Sequence, residues 1–174
     1  DPQTVAALEA LKAVLKRDGD GFVTEVDFRG TAIDDDKLVA LSGLRRIRSV
    51  TLAETGVSDA GLATLAAVAT LQALDLRECK ITNAGLAHLA GLTNLRSLRL
   101  SAKSGGATVD DAGLAALAKL TNLKVLGLDF LWVSEKGLAG LAPLKDLEEL
   151  YLAQTLVDDV SLAALVQFPQ LKKL

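Results

Sequence analysis

Residues 71–94 read LQALDLRECKITNAGLAHLAGLTN, and the rest of the chain repeats this pattern. The first half is L-x-x-L-x-L-x-x-C-x-I, in which Leu74 and Leu76 alternate with other residues as they would in a short strand. In the second half, Leu86 and Leu89 recur at a three-residue step among alanines, which favour a helix. Each unit is therefore predicted to run strand, turn, helix, turn.

Equivalent segments open at a regular spacing along the chain. They open at Val23, Ile47, Leu71, Leu95, Leu123, Leu147 and Leu171. Successive openings lie 24 residues apart, except that 28 residues separate Leu95 from Leu123. Because one unit cannot bury its own leucines, the units must stack. The chain is thus predicted to be an α/β solenoid, a right-handed superhelix with a parallel inner sheet and outer helices. Residues 23–174 would hold six complete units and the start of a seventh.

The start of each predicted helix shows two recurrent positions. The first position holds good N-cap residues, namely Asp34, Ser58, Thr82, Asp110, Ser134 and Asp158. The next position is mostly acidic and holds Asp35, Asp59, Asn83, Asp111, Glu135 and Asp159. An acid there suits the positive end of a helix.

Residues 1–22 are predicted to form an N-terminal cap. Residues 3–17 have the pattern of one amphipathic helix, and residues 18–21 (DGDG) indicate a turn into the first strand. A calcium loop of the EF-hand type is not expected, since its twelfth position would need a glutamate and is occupied by Arg29.

Three segments carry a resemblance to a known family: VSDAGLATLAAV (57–68), ITNAGLAHLAGLTNL (81–95) and VDDAGLAALAKLTNL (109–123). They resemble the "ITDAGLxxLxxL" repeats of bacterial, planctomycete-like leucine-rich repeat proteins. They are also similar to the cysteine-containing class found in F-box proteins. No F-box precedes the repeats here, so a role as a ubiquitin-ligase adaptor is not expected. The resemblance implies a leucine-rich repeat fold and leaves the ligand open.

The turn after each strand departs from that class. Its slot holds Thr31, Thr55, Cys79, Leu131 and Thr155 instead of a constant Cys or Asn. A threonine hydroxyl can hydrogen-bond the turn backbone, whereas Leu131 cannot. We therefore expect an altered turn at Leu131, and we expect Cys79 to face the core.

Composition excludes several function classes. The chain is 50% hydrophobic with a net charge of −3, which argues against disorder and gives no reason to expect a nucleic-acid partner. No apolar run is long enough to insert into a membrane. With a single histidine, His88, and a single cysteine, we expect no metal site, no cofactor and no catalysis.

The side chains that leave the core along each strand should form an inner, concave face. The candidate partner-binding residues on or beside it are Arg77, Arg99, Asp129, Phe130, Trp132 and Tyr151. Asp75, Arg77 and Arg99 are expected to pair with one another. Phe130 and Trp132 occupy slots that other units fill with small or polar residues, which suggests an interface hot spot. Alternatively, an altered turn packs Trp132 against the long fourth-unit loop, residues 101–108.

These features predict a non-catalytic module that binds another protein or peptide on the concave face. One alternative is a structural or envelope array with weak self-association through its helices or its open C-terminal edge. Another is a carbohydrate-binding module that uses the aromatic cluster. The loop 101–108 is either part of the binding face or a tolerated insertion. The resemblance and the absence of an initial methionine favour export, to the periplasm or the cell exterior, over a cytoplasmic location.

Overall fold

The computed structural model describes residues 2–174, in which short strands alternate with helical segments. The strands are β1 Val14–Arg17, β2 Val23–Asp27, β3 Ser49–Thr51, β4 Ala73–Asp75, β5 Ser97–Arg99, β6 Val125–Gly127 and β7 Glu149–Tyr151. The α-helices are α1 Pro2–Ala10, α2 Asp59–Leu65, α3 Asn83–Leu89, α4 Asp111–Leu114 and α5 Glu135–Gly140. Three 3-10 segments span Asp36–Gly43, Ala115–Lys119 and Ser161–Gln167.

Within residues 2–174, the strands form one seven-stranded sheet in sequence order. Strands β2 to β7 are parallel neighbours, and β1 is antiparallel to β2. The register aligns one fully buried apolar residue from each parallel strand: Val26, Val50, Leu74, Leu98, Leu126 and Leu150. Consecutive units therefore stack in phase, and the leucine slots of the helical segments close the core from the other side. The predicted α/β solenoid is confirmed.

The N-terminal segment differs from its prediction. The helix predicted over residues 3–17 ends at Ala10, and β1 follows after Lys12, whose φ is 63°. Only Leu8 is fully buried in α1. Strand β1 pairs with the outer edge of β2, which would otherwise expose unpaired backbone groups. The division into a cap (1–22) and an array (23–174) stays a prediction, and Asp1 lies outside the described residues.

The predicted turn at residues 18–21 is present. The Asp18 carboxylate accepts hydrogen bonds from the amides of Asp20 and Phe22, both at 3.0 Å. Gly21 has a φ of 83°, a conformation that glycine adopts without strain. Arg46 pairs with Asp18 and Asp20 at 3.0 and 2.6 Å, so these carboxylates hold the cap against the first unit.

A ladder of side-chain hydrogen bonds joins consecutive units on the helical side. Asp59 accepts from the Thr82 amide at 2.8 Å and from the Thr82 hydroxyl at 2.6 Å. Asp35 bonds Ser58 in the same way, and Asp111 bonds Ser134. The sequence assigned these acids to the helix dipole; the structure shows that they also join one unit to the next. We call each such pair a rung.

The rung between the third and fourth units has the opposite polarity. Asn83 accepts from the Asp110 amide at 3.1 Å, and its Nδ2 donates to the Asp110 carboxylate at 2.7 Å. A carboxylate at position 83 could not donate that second bond. The acceptor position of a rung therefore holds asparagine where its partner is an aspartate. It holds aspartate where its partner is a serine or threonine.

Each rung depends on a glycine in the following unit. A Cβ added at Gly85 would overlap the Asp59 carboxylate, and Gly113 stands in the same relation to Asn83. Gly61 and Gly137 likewise face Asp35 and Asp111. The glycine of the "DAGL" pattern is thus a requirement of close approach between units.

The sixth unit has no rung to the fifth, and the helical segments of the first and sixth units are both 3-10. The predicted N-caps are found at Ser58, Thr82, Asp110 and Ser134 but not at the two ends. At Asp34 and Asp158 the segment begins later, after Asp35 and Val160. The Asp34 and Asp158 carboxylates nevertheless accept hydrogen bonds from the amides three residues further on, Lys37 at 3.3 Å and Ser161 at 2.9 Å. Both acids therefore bond the start of their helical segment as an N-cap side chain does, although the segment is assigned from a later residue.

Candidate functional site

Four of the six candidate residues lie on or beside the sheet face that points away from the core. We call it the concave face. Its side chains alternate with the core residues, and the register aligns them in two rows across β2 to β7. One row is Glu25, Ser49, Ala73, Ser97, Val125 and Glu149; the other is Asp27, Thr51, Asp75, Arg99, Gly127 and Tyr151.

Arg99 and Tyr151 meet across a gap in the second row. Gly127 lies between them in register and has no side chain, so the Arg99 guanidinium comes within 5.9 Å of the Tyr151 ring centre. The Lys173 ammonium lies 5.1 Å from the same ring. The Tyr151 hydroxyl donates to Glu149 at 2.5 Å. The ring is thus held in place, and two cations flank it.

The ion pairs on this face differ from the predicted set. Arg77 donates to Asp75 at 2.7 Å through Nη2 and at 2.9 Å through Nε, and these bonds raise the pKa of Arg77. The second cation on Asp75 is Arg29, at 3.7 Å, and not Arg99. The predicted contact between Asp75 and Arg99 is therefore wrong, because Arg99 extends toward Tyr151 instead.

Asp129 serves the backbone of the array. Its carboxylate accepts from the Ala153 amide in the next unit at 2.8 Å. Its negative charge also contributes, from a greater distance than Asp75, to the raised pKa of Arg77. The side chain borders the concave face, and its nearest partner is structural.

The turn that contains Leu131 is not altered, so that prediction is wrong. Phe130 has a φ of 62°, and Glu54, Glu78 and Gln154 have φ values of 61°, 61° and 56° in the same slot. The Leu131 amide donates to the Leu128 carbonyl at 3.2 Å, as the Cys79 amide does to Leu76. Leu131 is buried, so it fills the slot by packing instead of by hydrogen bonding.

Trp132 lies outside the concave face. Its amide donates to the Val109 carbonyl at 3.2 Å, which places it in a second parallel ladder beyond the turns. The residue is 65% exposed, so most of its surface is not covered by the long loop. Leu156 takes the equivalent place one unit later, where its amide donates to the Val133 carbonyl, and it is 57% exposed. Phe130, at the turn, is 37% exposed. The six predicted residues thus divide into a concave group and an edge pair, Phe130 and Trp132.

The loop of residues 101–108 is anchored by the preceding unit. The Glu78 carboxylate accepts from the amides of Lys103 and Ser104, both at 2.9 Å. Burial acts to raise the pKa of Glu78, but the hydrogen bonds from Ser104 and Lys103 outweigh it and lower this pKa. The inserted loop is therefore held in one conformation above the third turn.

The groups with catalytic chemistry lie apart from one another. His88 is exposed in the last turn of α3. Cys79 is buried as predicted, and its thiol donates to the Leu52 carbonyl at 3.0 Å. Burial raises the pKa of the Cys79 thiol. Within residues 2–174, no three His, Cys, Asp or Glu side chains are grouped to hold a metal ion. Over the same residues, no helix is both long and apolar enough to cross a bilayer.

The structure is similar to several solved proteins. Internalin C2 from Listeria monocytogenes matches 99% of this chain with a TM-score of 0.59 and 20% identity, over 91% of its own length. The fold is that of a leucine-rich repeat solenoid. The Arabidopsis receptor kinase HAESA, solved with a peptide hormone and a co-receptor, matches the whole chain with a TM-score of 0.66 and 20% identity. Listerial internalin InlF matches 86% of the chain with a TM-score of 0.59 and 18% identity.

This chain covers only 30% of the length of the HAESA chain and 46% of the length of the InlF chain. No protein-family model matches the sequence, and no curated protein matches it. At these identities the likeness shows the fold alone.

The candidate residues chosen from the sequence left out Arg29, Lys173 and Gly127. Arg29 is in the same slot as Arg77, two units earlier, and this alignment was the available signal. Lys173 belongs to the incomplete seventh unit. Gly127 has no side chain, and this lets Arg99 reach Tyr151.

Proposed function

We propose that this leucine-rich repeat array is a non-catalytic module that binds a protein or peptide partner on its concave face. One observation carries the proposal. Within residues 2–174, Arg99 has no carboxylate within ion-pair distance and lies exposed beside the half-buried Tyr151 ring. Arginine and tyrosine are the residue types most enriched at interface hot spots.

The surroundings of this pair support the proposal. The strand that carries Arg99 pairs with β4 and β6. The strand that carries Tyr151 pairs with β6 and is bridged on its other side to Lys173, so both side chains stand on a rigid base. Tyr151 has its hydroxyl fixed by Glu149. A pre-organised face loses little side-chain entropy on binding. The HAESA complex with its peptide hormone offers a structural precedent in the same fold.

The test is capture of a partner by the immobilised chain from lysate of the source cells. The variant Arg99→Glu/Tyr151→Ala changes both concave residues. A matched control, Lys119→Glu/His88→Ala, makes the same two kinds of change on the exposed helical side. We expect the concave variant to lose capture by at least about tenfold, and the control to retain it.

Circular dichroism of all three proteins checks that each is folded. Equal capture by the wild type and the folded concave variant would refute binding at this face. Loss of capture in the control alone would move the binding surface to the helical side.

A second candidate function is self-association through the last unit. Its 3-10 segment exposes Val166 by 87% and Leu162 by 39%, and the neighbouring Val160 by 78%. Exposed apolar side chains on one short segment favour association. Sedimentation velocity over a concentration series should then show oligomers that Val166→Lys abolishes. A wild-type chain that stays monomeric throughout would eliminate this candidate.

We also propose that the protein is exported, which rests on the sequence resemblance. Immunodetection in the medium and periplasmic fraction of the source cells is the expected result. Detection only in the cytoplasmic fraction would contradict it.

A further inference from the structure

A depression of about 220 Å³ lies on the concave face over β3, β4 and β5. Its floor consists of small side chains: Ser49, Thr51, Ala73 and Ser97. Its walls are Arg29, Asp75, Arg77 and Arg99. The volume lies below the roughly 300 Å³ at which small-molecule sites begin. It can therefore receive a side chain of a partner, but not a whole cofactor.

The charge of the lining is opposite to that of the protein. Three guanidiniums face one carboxylate in the depression, whereas the whole chain carries a net charge of −3. Asp75 is shared by Arg77 and Arg29, at 2.7 and 3.7 Å. Arg99 makes no ion pair with Asp75. The side chains of Arg77 and Arg29 remain 38% and 49% exposed, so their free N–H groups can reach a ligand.

Two further carboxylates act on Arg77 from outside the lining, Glu54 and Asp129. Both raise the pKa of Arg77 less than Asp75 does, and neither lies within 4.0 Å of a basic group. Asp129 already accepts the Ala153 amide. These two acids therefore leave the Arg99 charge unneutralised.

The floor adds hydrogen-bond donors. The hydroxyls of Ser49, Thr51 and Ser97 make no hydrogen bond within residues 2–174. Together with the arginines they surround the depression with groups that can donate, and Asp75 is the only carboxylate among the lining residues. Such a donor-rich site fits an anionic oxygen ligand, because guanidinium bonds to carboxylates are the stronger, charge-assisted kind.

We infer that the depression receives an acidic side chain, aspartate or glutamate, from an extended segment of the partner. The inference rests on the proposed function and specifies the partner class for the same face. The carboxylate would lie between Arg99 and Arg77 and accept from the floor hydroxyls. Tyr151, beyond Gly127, would contact the next part of the segment.

The test is selection of random displayed peptides on three immobilised proteins: the wild type, Arg29→Gln/Arg99→Gln, and the control Arg45→Gln/Lys119→Gln. The control removes the same two charges at exposed positions outside the depression. We expect Asp and Glu to be enriched in peptides selected by the wild type and the control, and not in those selected by the concave variant.

The best selected peptide is then measured by fluorescence anisotropy. Replacing its acids with Asn or Gln should weaken binding roughly tenfold or more, since a bond to a charged group is lost. Added salt should also weaken binding. A phosphoserine version that binds more than about tenfold tighter would overturn the assignment in favour of a phosphoryl ligand.

The outcomes separate the two proposals. Peptides that need Arg99 and Tyr151 but show no acidic preference would overturn the acidic ligand and leave concave binding intact. Peptides that bind the folded Arg99→Glu/Tyr151→Ala variant as well as the wild type would overturn both.

Discussion

The middle units of the array and its sixth unit follow the same sequence pattern but join their neighbours differently. Between the second and third units, Asp59 bonds Thr82 over Gly85. Between the fifth and sixth, no side-chain hydrogen bond joins Glu135 to Asp158, and the Asp158 carboxylate instead accepts from Ser161 within its own unit, at 2.9 and 2.7 Å. Ser161 occupies the slot that holds glycine in the units with a rung.

This difference shows what the glycine and the acid do together. Where both are present, the helical segment begins as an α-helix. Where the glycine is replaced by Ser161, the rung to the preceding unit is absent and the segment is 3-10. The first unit has Lys37 in this slot and no preceding unit, and its segment is also 3-10. The sixth unit also exposes Val166, in a slot that holds alanine in the four middle units. Leu162 is 39% exposed, whereas the leucines in the same slot of those units are buried. Lateral hydrogen bonds, in addition to leucine packing, thus distinguish a regular unit from an irregular one.

The largest effect is expected from Gly85→Ala, which converts a regular junction into an irregular one. The new Cβ would overlap the Asp59 carboxylate and break the rung. Overpacking of this kind costs about 2 kcal/mol. Chemical denaturation measures the free energy of unfolding. Gly91→Ala is the control in the same unit, since a Cβ there meets nothing within 4 Å, and it should be neutral or stabilising. Equal effects of the two changes would refute the rung as the cause.

The second prediction is Asn83→Asp, which places two carboxylates where an amide now donates to Asp110. The variant should melt at a lower temperature at neutral pH, by less than Gly85→Ala. Adding Asp110→Ser restores the Asp–hydroxyl pairing found at Asp59 and Thr82. The double variant should therefore regain most of the lost melting temperature. Recovery of less than half of the loss would contradict the polarity rule.

The pH dependence of Asn83→Asp provides a second readout. In the wild type, the hydrogen bond from Asn83 lowers the pKa of Asp110. A lowered carboxyl pKa contributes stability above the unfolded value of 3.8, and this contribution is lost as the pH falls below it. In the variant, like charges raise one carboxyl pKa, so protonation relieves the repulsion. The difference in melting temperature between the wild type and Asn83→Asp should therefore narrow as the pH falls from about 6 to 4.

The third prediction is a repair of the sixth unit by Glu135→Asp/Asp158→Ser/Ser161→Gly. These changes reproduce the acid, hydroxyl and glycine of the regular junction. The net change in stability should be within about 1 kcal/mol, because the added glycine offsets part of the gain. Hydrogen exchange is the decisive measurement, and the amide at position 158 should become more protected. Unchanged exchange there would show that the rung needs more than these three residues.

The smallest effect is expected at an exposed ion triad that bridges the C-terminal units. Glu148 lies 2.8 Å from both Lys124 and Lys172, and its hydrogen bonds with these lysines lower its pKa to about 2. The stability that the ionised Glu148 carboxylate contributes should be present above pH 4.5 and be lost as the pH falls toward 2. Glu148→Gln should remove this pH dependence and change neutral stability very little, since exposed pairs contribute weakly. Thermal melts of both proteins across this pH range provide the measurement.

Part of the candidate site could be predicted from the sequence. The alternation along each strand places Arg99 and Tyr151 on the face opposite the core. The repeat spacing, 28 residues from Arg99 to Gly127 and 24 from Gly127 to Tyr151, aligns them across the sheet. Trp132 could not be placed in this way, because it follows a turn whose direction depends on the φ of Phe130. The partner of Asp75 could not be predicted either, since side-chain direction decides between Arg29 and Arg99.

The sequence by itself determined the solenoid, because the same apolar slots recur at a constant period and only stacked units can bury them. It also determined which residues within each strand point to the core and which to the concave face. Only the tertiary structure decided the antiparallel strand β1, the rungs and the depression between Arg29 and Arg99. Each of these joins residues from different units or covers a sheet edge. Such contacts exist only after stacking brings the units side by side, and a local pattern contains no information about them.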